Sequence, residues 1–526
     1  MLNHVNFIIM KCNILLIGFG VIGTEALSKI VKDYNGKKIL NITIIDKNLN
    51  NIPGGIAYSK ANSKFGFFNN PLRLSNPEFI KWIKIKKNII KVKNFILKNK
   101  DFNLVSWLNK NKDFNNIKIN KLNEIYLPRL TYSFFLEEKI INILKKIKKK
   151  KININLINSE LVDLKFNKTN EEYICFVKKN SDNFQFLLTN NGFKLKKIIK
   201  KDNPILTDTV IIGNGLLPPK RIKQEISINN KNYIWDFYSE GGTQNLLKKI
   251  KKELLLKKSI KILFIGNKAG LLETMPEIEI FSKKIKNKIQ IVCFTPNLIS
   301  LERAELSFKY KDYKFKFFKK NKLEKINKAE KIYLLLNKEF EYAKNTGFHK
   351  YDVWTLILKK KFLNKIYSSL SKIEKKIYND KIFSKIRNIT RYTYPSTIDS
   401  KNRLEDMKTL SYFTDKVVKL NMCRKYIEVV TSKGLKVKGD IVVNVSGPVS
   451  LTEVTNEVGF LNSLKRISNE FGHRGFLADN NFSIAKKIYA PGVISSNFNP
   501  NRFTIIKAIT FNTYKSVNKI VKTLNI

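Results

Sequence analysis

Asn13-Ile14-Leu15-Leu16-Ile17-Gly18-Phe19-Gly20-Val21-Ile22-Gly23-Thr24 is an apolar run broken by three glycines at G-x-G-x-x-G spacing, with helix-compatible residues after it. Each glycine has a separate task. Gly18 permits a tight turn, Gly20 lets the main chain approach a pyrophosphate, and Gly23 lets the new helix pack closely on the strand. The phosphates are expected over free N–H groups at the positive end of that helix. A second apolar strand, 39–45, ends in Asp46, placed to hydrogen-bond a ribose hydroxyl. Strand, glycine turn, helix, strand and acid in this order predict a parallel α/β dinucleotide-binding unit. Its place early in the chain favours the adenine end of FAD over a nicotinamide cofactor.

Working outward, the 526 residues suffice for two or three domains, and 43% hydrophobic content excludes wholesale disorder. The formal charge of +56 suggests polyanion binding, but only 11 of the 99 basic residues are Arg. The lysines are scattered with Asn and Ile through every segment, which biased base composition explains. A dispersed, Arg-poor charge lacks the bidentate forks of base readout, so no specific nucleic acid is expected. A basic nucleic-acid-binding or scaffold protein on this fold is kept as the alternative of a different class. Cys12, Cys175, Cys293 and Cys423 are far apart, and His4, His349 and His473 are dispersed. Neither set suggests a disulfide framework or a metal site, and a reducing cytoplasm fits. No run reaches about 20 apolar residues, so no membrane span is expected.

Downstream, Gly54-Gly55-Ile56-Ala57-Tyr58-Ser59 is a glycine turn with an aromatic, followed by Phe68-Asn69-Asn70-Pro71 and Leu74 to Trp82. Turn residues interleaved with aromatics predict a loop closing over a ligand. Leu127-Pro128-Arg129-Leu130 precedes a helix from Thr131, and 151–200 alternate in period two as short strands. Thr209 to Ile212 is a buried strand stopped at Gly213-Asn214-Gly215. A second nucleotide-type unit begins with the strand Ile260 to Ile265, turns at Gly266-Asn267-Lys268-Ala269-Gly270, and has its next strand at 289–294. Residues 300–400 read as an inserted helical region. A last buried strand ends at Ser446-Gly447-Pro448, and Ile488 to Ile494 precedes a final helix.

The stretches GFGVIG, GGIAYS, FFNNP with its LS and FIKW continuation, LPRLTYSFFLEE and IIGNGLLPP, with IYAPGVI as a weaker sixth, resemble the FAD/NAD(P)-binding oxidoreductases. The most similar branch is that of FAD-NAD(P)-binding proteins with FAD-dependent urate-hydroxylase-like sequences. Flavin monooxygenases and amino-acid N-hydroxylases are more distant. The resemblance implies two Rossmann-like (GR2-type) dinucleotide-binding domains. The FAD domain would be discontinuous, 1–225 and 430–526. An NAD(P)-binding-like domain would span 226–300, completed by a helical insertion at 301–429. It gives the FAD pyrophosphate to Gly18, Gly20 and Gly23, and the ribose to Asp46 where Glu is more usual. Asn70 would approach the flavin and Arg129 the cofactor's outer side. Gly215 and Gly447 would mark the two chain crossings, Gly266 and Gly270 the NAD(P)H turn, and Gly492 the isoalloxazine ring beside the last helix. Neither crossing has the usual Ala-Thr-Gly, and Lys268 stands where a middle glycine is usual.

The activity implied is that of an FAD-dependent oxidoreductase, an NAD(P)H-dependent monooxygenase on a small molecule. A flavin dehydrogenase or oxidase with a degenerate nicotinamide site is the alternative motivated by Lys268. No acid–base constellation is evident, which suits chemistry carried by a cofactor. His349 reads as a surface histidine. His473 and Arg502 are candidates near the C-terminal cofactor side, and the aromatics Phe308 to Phe318 read as core or as pocket lining.

Overall fold

The computed structural model describes residues 10–60, 66–99, 102–178, 182–190, 192–198, 204–225, 230–267, 269–284, 289–297, 302–304, 309–318, 323, 326–360, 362–390, 392–453, 459–468, 470–472, 475–495 and 505–525. Lys268, Arg391, His473 and Arg502 lie outside the described residues, so the expectations placed on them have no structural counterpart.

The first sheet is parallel at its centre. Strand β1 (Met10–Ile17) runs between β2 (Leu40–Asp46) and Ile205–Ile212, with Ile152–Asn158 beyond β2 and Ile488–Tyr489 beyond Ile205–Ile212, all parallel. The hairpin Asp182–Thr189 with Gly192–Ile198 extends one edge in antiparallel register. Ile14–Ile17 of β1 and Ile42–Ile45 of β2, apolar but for Thr43, are buried because both faces of the sheet are covered. Helix α1 (Val21–Asp33), the Leu130–Ile147 helix and the final Ile505–Leu524 helix cover one face. The order in which the chain visits this sheet makes the domain discontinuous, since its edge strands come from 483–489.

The second sheet has five parallel strands in the order Tyr233–Ile234, Ile441–Asn444, Ile260–Ile265, Ile289–Phe294, Leu410–Phe413. Both strands expected from 260–265 and 289–294 are present at those bounds. The boundary expected at 430 falls inside this unit. Ile427–Thr431 and Lys436–Gly439 form a meander against it, and Ile441–Asn444 is one of its inner strands. The apolar pattern of Ile441 to Val445 marks a buried strand without saying which sheet buries it. The chain returns to the first domain only past Pro448, where it pairs with Pro219 on the outgoing segment.

The helical region runs from Ala329 to Ile389 around its own core, which takes in Tyr310, Tyr313, Phe318, Phe340 and Phe362, while the Pro395–Asp406 helix packs into the core of the second unit through Leu404. Leu410–Phe413 and the strands after it replace helix in the last part of the 301–429 expectation. The described aromatics of 309–318 are therefore core. Lys360 stacks over Phe315 at 5.0 Å with its ammonium outward. Among the described residues no helix is long and apolar enough to cross a membrane, and no group of three metal-type ligands occurs.

Candidate functional site

The first glycine turn sits at the carboxyl end of β1. Gly18 takes φ +86°, a conformation only glycine enters freely, and its Cα faces the Gly213 carbonyl carbon at the end of the neighbouring strand. A Cβ on Gly18 would lie 3.0 Å from that carbon. A Cβ on Gly23 would lie 2.4 Å from the Gly18 carbonyl oxygen, so Gly23 is what lets α1 seat on the strand. Gly20 differs from both. A Cβ there would stand 3.6 Å from Gly55 Cα and 3.7 Å from the Gly54 oxygen, ordinary contact distances. The protein's own packing does not require glycine at position 20.

Gly20 is also the cap residue of α1. No side chain caps that helix end and no acidic residue occupies its first turn, although Val21, Ile22 and Gly23 are buried. A buried helix start with unmet N–H groups calls for an acceptor, and its positive end favours an anionic one. The Gly54-Gly55 turn lies directly across, bridged to Gly20. Bare main chain therefore faces bare main chain over this helix end. That geometry suits a diphosphate better than any side chain could.

Asp46 closes the loop from the other side. Its Oδ2 accepts from the Phe19 N–H at 2.7 Å and its Oδ1 from Asn48 N–H at 2.8 Å. Burial pushes its carboxyl above the usual range, and the Phe19 and Asn48 N–H groups pull it back. Asp46 thus clasps the glycine turn, and each oxygen keeps further lone-pair capacity for a ribose hydroxyl. At the far side Asn214 Oδ1 is buried with no partner among the described residues. The Asn214 carbonyl stands 3.8 Å from where a Cβ on Gly492 would be, and Ile22 Cδ1 stands 2.6 Å from it. Gly18, Gly20, Gly23, Asp46, Gly492 and the Asn214-Gly215 crossing thereby converge on one place. A Cβ on Gly215 would meet nothing within 4 Å. A buried orphan acceptor, an uncapped helix and a glycine without a packing reason fit an adenine dinucleotide with a diphosphate bridge.

The other expected residues have partners within the protein. Arg129 donates from Nη2 to Glu273 Oε1 at 2.5 Å and from Nε to the Phe67 carbonyl at 3.2 Å. Both partners of the ion pair are 17% exposed, and Glu273 belongs to the Ala269–Lys284 helix of the second unit. Arg129 is therefore tied across the seam between the two units. Asn70 Oδ1 accepts from Tyr351 Oη at 3.2 Å, which ties its loop to the helical region. His349 is exposed at the start of the Lys350–Lys359 helix, its N–H on Asp352 Oδ2 at 3.2 Å, as a surface histidine.

At the second turn Gly266 takes φ +104°, and a Cβ on it would lie 2.6 Å from Ser446 Cα. A Cβ on Gly270 would lie 2.8 Å from Val445 Cγ1. Both glycines are demanded by the fold itself, because the 445–447 segment runs over them. Gly447, next in that segment, takes φ +94°. The residues that sequence reasoning left off the site are Gly54, Gly55 and Asn214. The Gly-Gly pair shortly after the acid was the available signal.

Residues 15–187 match the FAD-NAD(P)-binding family. The matched stretch holds the first glycine turn, Asp46, the Gly54-Gly55 turn and Arg129. No curated protein sequence matches the chain significantly. Among solved structures it is similar to the FAD-bound cadaverine monooxygenase DfoA of the desferrioxamine biosynthetic pathway from Erwinia amylovora. Identity is 11%, with 96% of this chain and 94% of that one covered and a TM-score of 0.51. Similarity extends to the reduced form of ornithine hydroxylase PvdA from Pseudomonas aeruginosa, at 12% identity, 98% and 100% coverage and a TM-score of 0.46. Bacillithiol disulfide reductase Bdr from Staphylococcus aureus follows at 9% identity, 98% and 99% coverage and 0.44. The likeness to DfoA runs over both units, so the two proteins share a two-unit α/β fold.

Proposed function

We propose that the protein is an FAD-dependent oxidoreductase, an NAD(P)H-dependent monooxygenase acting on a small molecule. The observation that carries this is the buried, uncapped start of α1, faced by Gly20 and the Gly54-Gly55 turn. Gly18, Gly20, Gly23 and the first N–H groups of α1 would hold the diphosphate of FAD, and Asp46 the ribose. Asn214, Gly215 and Gly492 would border the flavin end. When bound, FAD supplies hydride acceptance from a nicotinamide and electron delivery to oxygen or to a substrate. The chain's own part is to bind, orient and shield. The Asp46–Phe19 clasp fixes the turn, and the Arg129–Glu273 pair fixes the second unit against the loop that carries Asn70.

A second reading, a flavin dehydrogenase or oxidase with a degenerate nicotinamide site, is favoured by one observation. Gly266 and Gly270 are accounted for by contacts with Ser446 and Val445, so they add nothing in favour of a second nucleotide. The spectrum of the purified protein tests both. A yellow protein that NADH or NADPH bleaches without oxygen supports the first reading. Colour that neither nucleotide bleaches supports the second. A colourless protein that does not take up FAD refutes both.

A further inference from the structure

Beneath α1 one lysine holds two carboxylates. Lys139 Nζ, on the Leu130–Ile147 helix, donates to Glu25 Oε2 of α1 at 2.6 Å and to Glu78 Oε2 of the Pro77–Ile83 helix at 2.7 Å. Tyr514 Oη, on the Ile505–Leu524 helix, donates to Glu25 Oε2 at 2.9 Å and stands 3.3 Å from Glu78 Oε1. Four helices meet at this clasp. The Glu25 side chain is fully buried, that of Lys139 is 10% exposed, and that of Glu78 is half exposed. Glu25 leans on Lys139 and Tyr514 through one oxygen, and its Oε1 is buried with no partner among the described residues. Burial pushes the Glu25 carboxyl above its usual range, and Lys139 pulls it back. Lys139 is opposed by burial, but Glu25 and Glu78 hold it above its usual range, so it stays a cation. Glu25 is faced by Lys139 and Tyr132 from one helix, Glu78 from the second and Tyr514 from the third. Among the described residues Lys139 is the one cation that touches it. On α1 itself Lys29 pairs with Asp33 at 2.5 Å, and Lys32 acts on Glu78.

Glu25 comes four residues after Val21, the first residue of α1, which is about one turn, or roughly 6 Å along the axis. Helical side chains lean towards the N-terminus, so the carboxylate is carried no farther from the helix start. An acid so placed repels a diphosphate and competes with it for the positive helix end. The interior screens that repulsion weakly. A buried Glu25 carboxylate without a counter-charge would therefore oppose the ligand that the bare turn suits. We propose that Lys139 is a positioning residue for the dinucleotide: acting through Glu25, it cancels the carboxylate's charge and keeps the start of α1 attractive to an anionic diphosphate. The proposal rests on the reading above in taking FAD as that ligand. The clasp also fastens the Pro77–Ile83 helix and the last helix to α1, and Asn76 Nδ2, donating to Thr510 Oγ1 at 3.1 Å, ties those two again.

Flavin-fluorescence titrations at pH 6 and pH 8.5 on wild type, Lys139→Met, Glu25→Gln and the double variant Glu25→Gln/Lys139→Met test this. In Lys139→Met burial acts on Glu25 with no cation against it, so its charge develops only as pH rises. FAD is expected to bind that variant within about threefold of wild type at pH 6 and at least about tenfold more weakly at pH 8.5. The double variant has no charge to cancel and is expected to bind alike at both pH values. Glu25→Gln leaves Lys139 on Glu78, and is expected to bind FAD about threefold more tightly than wild type at pH 8.5. The melting temperature without FAD is a second readout. A carboxyl raised in the folded state is stabilising below its ordinary value and loses that stability as pH rises, so Lys139→Met should melt progressively lower than the double variant between pH 5 and pH 8. An equal loss of FAD affinity at both pH values, or the same loss in the double variant, would overturn the proposal. If Lys139→Met fails to fold, an unchanged FAD affinity in Glu25→Gln overturns it instead. The same proteins are titrated with inorganic pyrophosphate. A protein that refuses FAD yet shows the pH pattern with pyrophosphate keeps the role of Lys139 and ends the flavin reading. FAD bound alike by all the proteins at both pH values does the reverse.

Discussion

Replacing Gly20 and Gly23 by alanine separates a glycine kept for a ligand from one kept for the fold. At Gly23 the added carbon would stand 2.4 Å from the Gly18 carbonyl oxygen, nearly 1 Å inside any comfortable approach. That oxygen is main chain of the tight turn, so nothing flexible can yield. Overpacking of this kind costs about 1–3 kcal/mol, and the rigid neighbour places Gly23→Ala at the upper end. At 2–4 °C per kcal/mol for a domain of this size, the apo protein should melt about 6–12 °C lower. At Gly20 the nearest atom would be Gly55 Cα at 3.6 Å, and the backbone is at φ −77°, open to alanine. The apo Gly20→Ala protein should therefore keep its stability to within about 0.5 kcal/mol, with the smaller unfolded-state entropy offsetting a slightly poorer cap. Its methyl group would instead stand over the α1 N–H groups. Losing one charge-assisted hydrogen bond to the diphosphate, at about 1.5–3 kcal/mol, weakens FAD about 10- to 100-fold. Thermal melts of the apo proteins and flavin-fluorescence titrations give both numbers. An apo Gly20→Ala protein that melts as low as Gly23→Ala, or one that binds FAD like wild type, would refute the reasoning.

Glu339→Gln should unsettle the helical region, because its fully buried carboxylate accepts from Tyr313 Oη at 2.6 Å and from the N–H groups of Lys316, Phe317 and Phe318 at 2.9, 2.7 and 3.0 Å. An amide turns an acceptor into a donor against those N–H groups, and urea titration should show a loss of about 2–3 kcal/mol. Glu279 is opposed by burial but held down to about 2 by hydrogen bonds from Arg403 and Lys283, which fasten two helices of the second unit. Its folded value lies below its ordinary one, so its stabilisation is complete above about pH 4.5 and fades as pH falls towards 2. After screening at the half-exposed Arg403 this is about 1 kcal/mol, and melts of Arg403→Gln against wild type should converge at low pH. Glu273→Gln should loosen the seam at Arg129, with hydrogen exchange rising in 66–72 and 269–284 while α1 keeps its protection. Equal exchange in wild type and variant would mean that the ion pair holds nothing together.

The first unit was legible because local physics wrote it. Glycine spacing, an apolar run on each side and an acid at the end of β2 are properties of a few adjacent residues, and β2 ends at Asp46 as expected. The second unit was legible strand by strand but not in its membership. Ile441–Asn444 and Leu410–Phe413 join the Ile260–Ile265 sheet 179 and 119 residues downstream of the strands they pair with, and a buried strand carries no mark of its neighbours. Side-chain destinations were the least legible. Arg129 was expected on the cofactor's outer side, and nothing in the sequence marked Glu273 as the partner its fork reaches. That choice depends on where a distant helix lies, which periodicity does not encode. The buried Lys139, which bridges Glu25 at 2.6 Å and Glu78 at 2.7 Å beneath α1, gave no sequence signal for the same reason.

The two glycine turns also show why the same motif carries unequal weight in one chain. At the first turn two of three glycines serve the backbone, and the third has no packing reason. At the second, Gly266 and Gly270 are both consumed by the 445–447 crossing. A crossing strand must pass over the carboxyl end of the sheet to leave the unit, and it needs a bare surface to do so. Glycines there follow from the discontinuous topology whether or not a nucleotide binds. Evidence for a nicotinamide must then come from groups the crossing does not use. Asn267, buried with its amide on the Asn297 carbonyl at 3.4 Å, is such a group. Thr295, whose hydroxyl donates to the same carbonyl at 2.8 Å, is another. Together they shape the strand ends of the second unit. If NADH or NADPH bleaches the flavin, replacing Asn267 by Ala should raise the nucleotide's apparent KM while leaving FAD affinity alone. If it changes neither, the second sheet serves as a scaffold for the helical region.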